Sequence, residues 1–547
     1  MRALLLFCTV LFMVSCKDTN KSGEVENQNS GNQVEKVKDF REFKVLDSKF
    51  IDKDSLWKPF SAALKNFTEA DYDRLKPFIV DQDIPTIQNN VIASKLSYED
   101  LVKFYLYRIR EFDRDNEKSL NAVISLNPNV IAEAKAKDEE LKTMDVSPYF
   151  KHSVYGMPIL LKDNIDAQNM PTTAGAIALK NNYATDAFIV NQLKTHGAII
   201  LGKTNLSEWA YFFCDGCPSG YSAIGGQTLN PYGRRIFDTG GSSSGSGVAV
   251  AANFCVAAVG SETSGSILSP SSQNSVVGLK PTIGLLSRSG IVPISSTLDT
   301  PGPMTKNVID NAIVLEAMQG YDSSDTKSIK VNSSTKFFKA LDTASLKGKR
   351  FGAFKTLMED TLYVQAIQVI KSQGAEIIEI DPLSMDLPDF IRLLNLDMKT
   401  DLPEYLSKYA GDQVTVTSVQ DVMVLNKADS ILSMPYGQKL FEGIVADSAT
   451  EQEFDDIKTV LKTNGRKFFD TPMIQNNLDG ILSINNYHAG YAAVAEYPAI
   501  TVPMGYTDEG KPEGLTFIGK PLTEKQLLNW AYGYEHNSKK RKSPDDY

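Results

Sequence analysis

Apolar and polar positions follow two alternating rhythms along most of the chain. Ser97 can cap a helix with Glu99 and Asp100 in its first turn, and Leu101, Phe104, Tyr105, Ile109 and Phe112 then recur at helical spacing. Residues 129–144, rich in Ala, Glu, Lys and Leu, predict a second helix. The run 157–161 is short and continuously apolar, as a buried strand requires, and it ends on Lys162-Asp163-Asn164. Further strand-like runs are 198–201, 255–259, 350–354, 376–380, 499–503 and 515–518, and 248–254 is small and apolar. Helical stretches at 363–372 and 524–536 alternate with them. Strands alternating with helices predict an α/β layered fold, a mixed twisted sheet between helical layers.

The N-terminus breaks this pattern. Arg2 precedes a short apolar run ending in Met13-Val14-Ser15-Cys16, too short to span a bilayer and suited to an export signal. Its ending resembles a bacterial lipobox, which implies lipidation of Cys16. Residues 17–40 are polar and nearly free of large apolar side chains, so they cannot offset their ordering entropy and read as a flexible tether. The expected organisation is a lipoprotein signal at 1–16, a tether at 17–40, an extension at 41–75 and one large domain at 76–545. The expected location is outside the cytoplasm, on the periplasmic or outer face of a membrane reached only through the lipid.

Composition narrows the function classes. Apolar residues make up 42% and charged residues 23% of the 547, as in ordinary folded proteins, and the net charge of −10 argues against a nucleic-acid partner. Cys214-Asp215-Gly216-Cys217 has C-x-x-C spacing without a second pair or a nearby His, which disfavours zinc and leaves a local disulfide or two free thiols.

The strongest chemical signal is Gly240-Gly241-Ser242-Ser243-Ser244-Gly245-Ser246-Gly247. It lacks the Lys of a phosphate loop and the spacing of a dinucleotide loop, leaving a tight turn crowded with hydroxyls and backbone N–H groups. A second turn, Thr263-Ser264-Gly265-Ser266, could expose a serine nucleophile beside N–H donors. The four histidines, His152, His196, His488 and His536, fall in no hydrolase motif. Lys162, at a strand end where burial lowers its pKa, is the better candidate base, with a pairing to Asp163 or Asp166 as the structural alternative.

These segments together resemble the amidase-signature family. The resemblance is carried by Leu161-Lys162-Asp163-Asn164, Leu201-Gly202-Lys203-Thr204-Asn205, the Gly240–Ser246 run, Gly260-Ser261-Glu262-Thr263-Ser264-Gly265-Ser266-Ile267, Gly278-Leu279-Lys280-Pro281-Thr282, Asp299-Thr300-Pro301-Gly302-Pro303 and Tyr497-Pro498-Ala499-Ile500-Thr501-Val502-Pro503. Ser242 and Ser266 stand 24 positions apart, as the family's two catalytic serines do. The resemblance implies Ser266 as the acylated nucleophile, Ser242 as a bridging serine after a cis peptide bond, and Lys162 as final proton acceptor. It further implies an oxyanion hole from the N–H groups of Thr263, Ser264, Gly265 and Ser266, a supporting role for Ser243, and no metal or organic cofactor.

Two departures stand out. Ser264 stands where the family commonly has Gly in the oxyanion turn, and Leu268 where an Arg commonly follows the nucleophile, while Glu262 keeps the carboxylate of the usual Asp. This form is similar to the peptide-amidase branch, which implies an amidase acting on neutral carboxamides such as peptide C-terminal or aryl amides. The alternatives are an amidotransferase A-type subunit, opposed by the export signal and Leu268, and a non-catalytic surface lipoprotein of the same fold. Residues 384–475 match the family least and predict only helices.

Overall fold

The computed structural model describes residues 41–114, 116–331 and 336–547. The expected signal, Cys16 and the tether at 17–40 lie outside the described residues. Residues 41–547 form one compact unit, and among the described residues no helix is long and apolar enough to cross a membrane.

The apolar runs assemble into an eleven-stranded sheet. Its strands are β1 (Val123–Leu126), β2 (Pro158–Lys162), β3 (Ile199–Thr204), β4 (Ala257–Glu262), β5 (Val277–Lys280), β6 (Thr300–Thr305), β7 (Arg350–Phe354), β8 (Glu376–Ile380), β9 (Gly480–Ile484), β10 (Ala499–Tyr506) and β11 (Pro512–Ile518). Their spatial order is β1-β3-β2-β4-β6-β5-β10-β11-β9-β7-β8. β2 lies parallel to both β3 and β4, whereas β4 and β6 run antiparallel with Glu262 opposite Thr300. Parallel neighbours need crossover helices, and such strands, covered on both faces, are continuously apolar. Hence every residue of β2, β3 and β4 is buried. The sheet is therefore mixed and flanked by helices.

The small apolar stretch after the Gly/Ser run is a helix, Ser244–Ala251, that begins inside that run. Its small residues allow close packing: a Cβ on Gly245 would come within 2.5 Å of the Ala122 carbonyl oxygen. The capped helix Tyr98–Phe112 carries a Ser97–Asp100 capping box. From it, Arg108 donates to the Ala252 carbonyl at 2.8 Å and the Asn253 carbonyl at 3.0 Å. A buried cation thus meets the carbonyl-rich end of the Ser244–Ala251 helix, where the helix dipole favours it. Residues before 76 share this core, with Phe60, Leu64, Tyr72 and Leu75 buried in it.

The poorly matching region forms the helices Phe390–Lys408, Val419–Ala428, Ser430–Ser433, Lys439–Ala446 and Glu451–Asn476. They build a second apolar cluster in which Leu393, Tyr405, Phe441 and Leu461 pack with Trp209 and Phe213. Cys214 and Cys217 are joined as a disulfide beside it.

Candidate active site

β2 delivers Lys162 as its last residue, fully buried. Its Nζ lies 2.8 Å from Ser242 Oγ, 2.9 Å from Ser261 Oγ and 3.0 Å from the Ser261 carbonyl oxygen. Burial lowers its pKa from 10.5 to about 7, against the opposing charges of Asp299 and Glu262. Neither neighbouring carboxylate pairs with it. Asp163 faces Lys203 Nζ at 3.3 Å, and Asp166 accepts the Tyr405 hydroxyl at 2.8 Å.

The Gly/Ser turn brings Ser242 to this lysine, and the Gly241–Ser242 peptide bond is cis. The next residue ties the two serine turns together. Ser243 N–H donates to the Ser266 carbonyl at 3.1 Å, Ser243 Oγ donates to the Ser261 carbonyl at 3.1 Å, and Ser261 N–H donates to Ser243 Oγ at 3.2 Å. Ser266 is 8% exposed, whereas Lys162 and Ser242 are wholly enclosed, so Ser266 is the outermost residue of the three. Among the described residues the Ser266 hydroxyl has no hydrogen-bond partner.

The turn carrying Ser266 is pinned from both sides. Behind it, Glu262 Oε2 accepts the N–H groups of Ile267 at 2.7 Å and Leu268 at 3.0 Å. In front, Thr263 Oγ1 donates to Asp299 Oδ1 at 2.5 Å. Gly265 takes φ +90°, a conformation L side chains avoid, and a Cβ there would stand 2.9 Å from Asn486 Nδ2. Ser264 Oγ lies on the same side, beside Gly490.

A cavity opens beside this assembly and reaches it through Asn164, Ser261 and Thr263. Ile294, Asp299, Asp401 and Tyr405 are in its wall, as is Arg288, whose guanidinium is paired with Asp325. Leu268 does not face it. It is 1% exposed and packs with Phe354, Phe468 and Ile380. His488, 2.6 Å from Ser483 Oγ and stacked on Phe354, is held by burial at a pKa of about 4. No group of three or more His, Cys, Asp or Glu among the described residues is arranged to hold a metal ion.

The structure thus brings together Lys162, Ser242, Ser243 and the 263–266 turn. It adds Ser261, Asn164 and Asp299, whose roles the sequence reading did not single out. Asn164 Nδ2 donates to Ser261 Oγ at 3.0 Å. Asn164 and Asp299 both stand inside family-like motifs, and that position was the available signal.

Comparison with known proteins follows the same lines. A family model described as Amidase matches residues 100–528. A probable amidase of Arabidopsis thaliana is 36% identical over 467 residues, spanning 82% of this chain and 88% of its own length. An amidase family protein from Bacillus anthracis superposes with a TM-score of 0.86 at 37% identity, covering 91% of this chain and 100% of its own. The peptide amidase from Stenotrophomonas maltophilia superposes with a TM-score of 0.80 at 35% identity, covering 85% and 98%.

Proposed function

The chain belongs to the amidase family, an amidase that hydrolyses amide C–N bonds, and from that premise we propose that it works through a Ser266–Ser242–Lys162 relay on uncharged carboxamides. The observation that carries this reading is Lys162 Nζ, enclosed, 2.8 Å from Ser242 Oγ and with a pKa lowered by burial to about 7. A neutral amine has two N–H bonds and one lone pair. Its two acceptors, the carbonyl and hydroxyl oxygens of Ser261, leave the lone pair for the Ser242 proton.

In the forward step Ser266 Oγ attacks the amide carbon, its proton passes to Ser242 Oγ, and the Ser242 proton passes to Lys162. The N–H groups of Thr263, Ser264, Gly265 and Ser266 hold the resulting oxyanion. Collapse of the tetrahedral intermediate breaks the C–N bond, and the proton returns by the same path to the leaving nitrogen, releasing ammonia or an amine. Water then attacks the acyl-Ser266 ester and gives its proton to the relay; the C–O bond to Ser266 breaks, the relay returns the proton to Ser266 Oγ, and the carboxylate product leaves. The Ser266–Ser242 contact closes when substrate is bound, as catalytic contacts commonly tighten in the Michaelis complex.

Peptide C-terminal amides and aryl amides are the proposed substrates. Leu268 supplies no cation beside Ser266, and Arg288 in the cavity wall is neutralised by Asp325. The similarity to a peptide amidase points the same way. We place the enzyme outside the cytoplasm, held to a membrane by lipid on Cys16. Ammonia or amine release over a panel of neutral peptide amides, aryl amides, glutamine and small acidic amides tests the substrate reading. Turnover of the neutral amides is expected. Release confined to acidic amides refutes it, and release confined to glutamine favours an amidotransferase subunit.

A further inference from the structure

The 263–266 turn is connected to the helical region that resembles the family least. Asp299 precedes β6, and β6 pairs with β4 so that Thr300 stands opposite Glu262. This register sets Asp299 across from Thr263, the first residue of the turn. One carboxylate oxygen, Oδ1, accepts the Thr263 hydroxyl at 2.5 Å. The other, Oδ2, accepts the N–H groups of Ile294 at 2.8 Å and Ser295 at 2.9 Å. Three donors from the protein itself engage the two oxygens of this cavity-wall residue.

The loop beyond is held in turn by the Phe390–Lys408 helix. Ser295 Oγ donates to Asp397, Thr297 Oγ1 donates to Asp397 Oδ1 at 3.2 Å, and Ser296 N–H donates to Asp401 Oδ2 at 2.5 Å. A continuous chain of hydrogen bonds therefore runs from that helix through residues 294–297 to Asp299 and Thr263.

We propose that Asp299 is a positioning residue for the 263–266 turn, fixing its N–H groups for the oxyanion and tying their register to the Phe390–Lys408 helix. The inference rests on the proposed role of this turn. N–H donors aimed at an oxyanion act only when they stand within hydrogen-bonding distance of where that oxygen will be, and the benefit appears in the transition state more than in substrate binding. Glu262 fixes the turn from Ile267 and Leu268; without Asp299, its Thr263 end has lost its anchor.

The test uses the full chain and the best amide of the panel, with kcat, KM and the rate of fluorophosphonate labelling measured for Asp299→Ala, Asp299→Asn and Thr263→Val. Asp299→Ala is expected to lower kcat and labelling by about 100-fold while KM moves by less than about threefold, the pattern of a lost oxyanion donor. Asp299→Asn is expected to recover to within about tenfold of wild type, because its amide oxygen keeps the Ile294 and Ser295 N–H groups and its NH2 donates to the Thr263 hydroxyl. Thr263→Val should fall with Asp299→Ala.

Labelling within about threefold of wild type in Asp299→Ala, or a loss confined to KM, overturns the proposal. If Asp299→Ala does not fold, Thr263→Val decides, and an unchanged labelling rate there refutes it. Wild-type labelling that survives Ser266→Ala would instead strike at the underlying mechanism.

Discussion

The pH dependence of acylation follows from the state of Lys162. A lysine at its ordinary 10.5 is neutral in about one molecule in 3,000 at pH 7, whereas one at about 7 is neutral in about half. Burial dominates this lowering, and Asp299 and Glu262 limit it. If neutral Lys162 receives the proton, kcat/KM for a neutral amide rises about tenfold per pH unit below 7 and levels above it, so pH 5 supports about 1% of the plateau. Asp401, in the cavity wall, is also pushed up to about 7, by burial and by the Asp397 charge. The profile is therefore measured for Asp401→Asn beside wild type, and the acid limb should persist in the variant. Lys162→Arg, permanently charged, should remove nearly all turnover. A flat profile from pH 5 to 8, or a limb near the His488 value of about 4, would refute Lys162 as the base. Linkage runs in the same direction. Between about 7 and 10.5 the unfolded chain keeps the Lys162 proton that the folded chain has lost, so this group's contribution to stability rises with pH across that window.

Other consequences are independent of the base. Leu268, buried with Phe354, Phe468 and Ile380, should cost about 2–5 kcal/mol when cut to Ala, read as a lowered denaturation midpoint. Leu268→Arg should lower expression or stability rather than create an acid-amide hydrolase; a stable variant that gains acidic substrates would contradict its placement in the core. Cys214→Ser opens a short loop and should cost about 2 kcal/mol or less, with amide turnover retained. Cys16→Ser should move the protein from the membrane to the soluble fraction and remove lipid mass from the N-terminal peptide; unchanged fractionation would overturn the anchor.

Much of the sheet was legible because its strands are short apolar runs closed by polar or glycine-rich turns. The run before Lys162 differed from β2 by one residue at each end, since the lysine itself is the strand's last residue. The stretch after the Gly/Ser turn read only as small and apolar, because a helix of Gly, Ala, Val and Ser buried on all sides has no amphipathic period. Contacts across long separations were not legible. Ser261 meets Lys162 from 99 positions away, and Asp299 reaches Thr263 from 36. Leu268 read as a missing cation beside the nucleophile and not as a core residue, because its direction is set by Phe354 and Phe468, distant in sequence. Helices were expected across 384–475, yet their role at the cavity depends on Asp397 and Asp401 meeting residues 295–297, which no local pattern announces.

The proposed mechanism stands on acylation at Ser266. Peptide mapping by mass spectrometry after fluorophosphonate treatment tests it most directly. One stoichiometric adduct is expected on the peptide containing Ser266, absent in Ser266→Ala and formed far more slowly in Lys162→Ala. An adduct on any other residue, or equal labelling of Ser266→Ala, would contradict it.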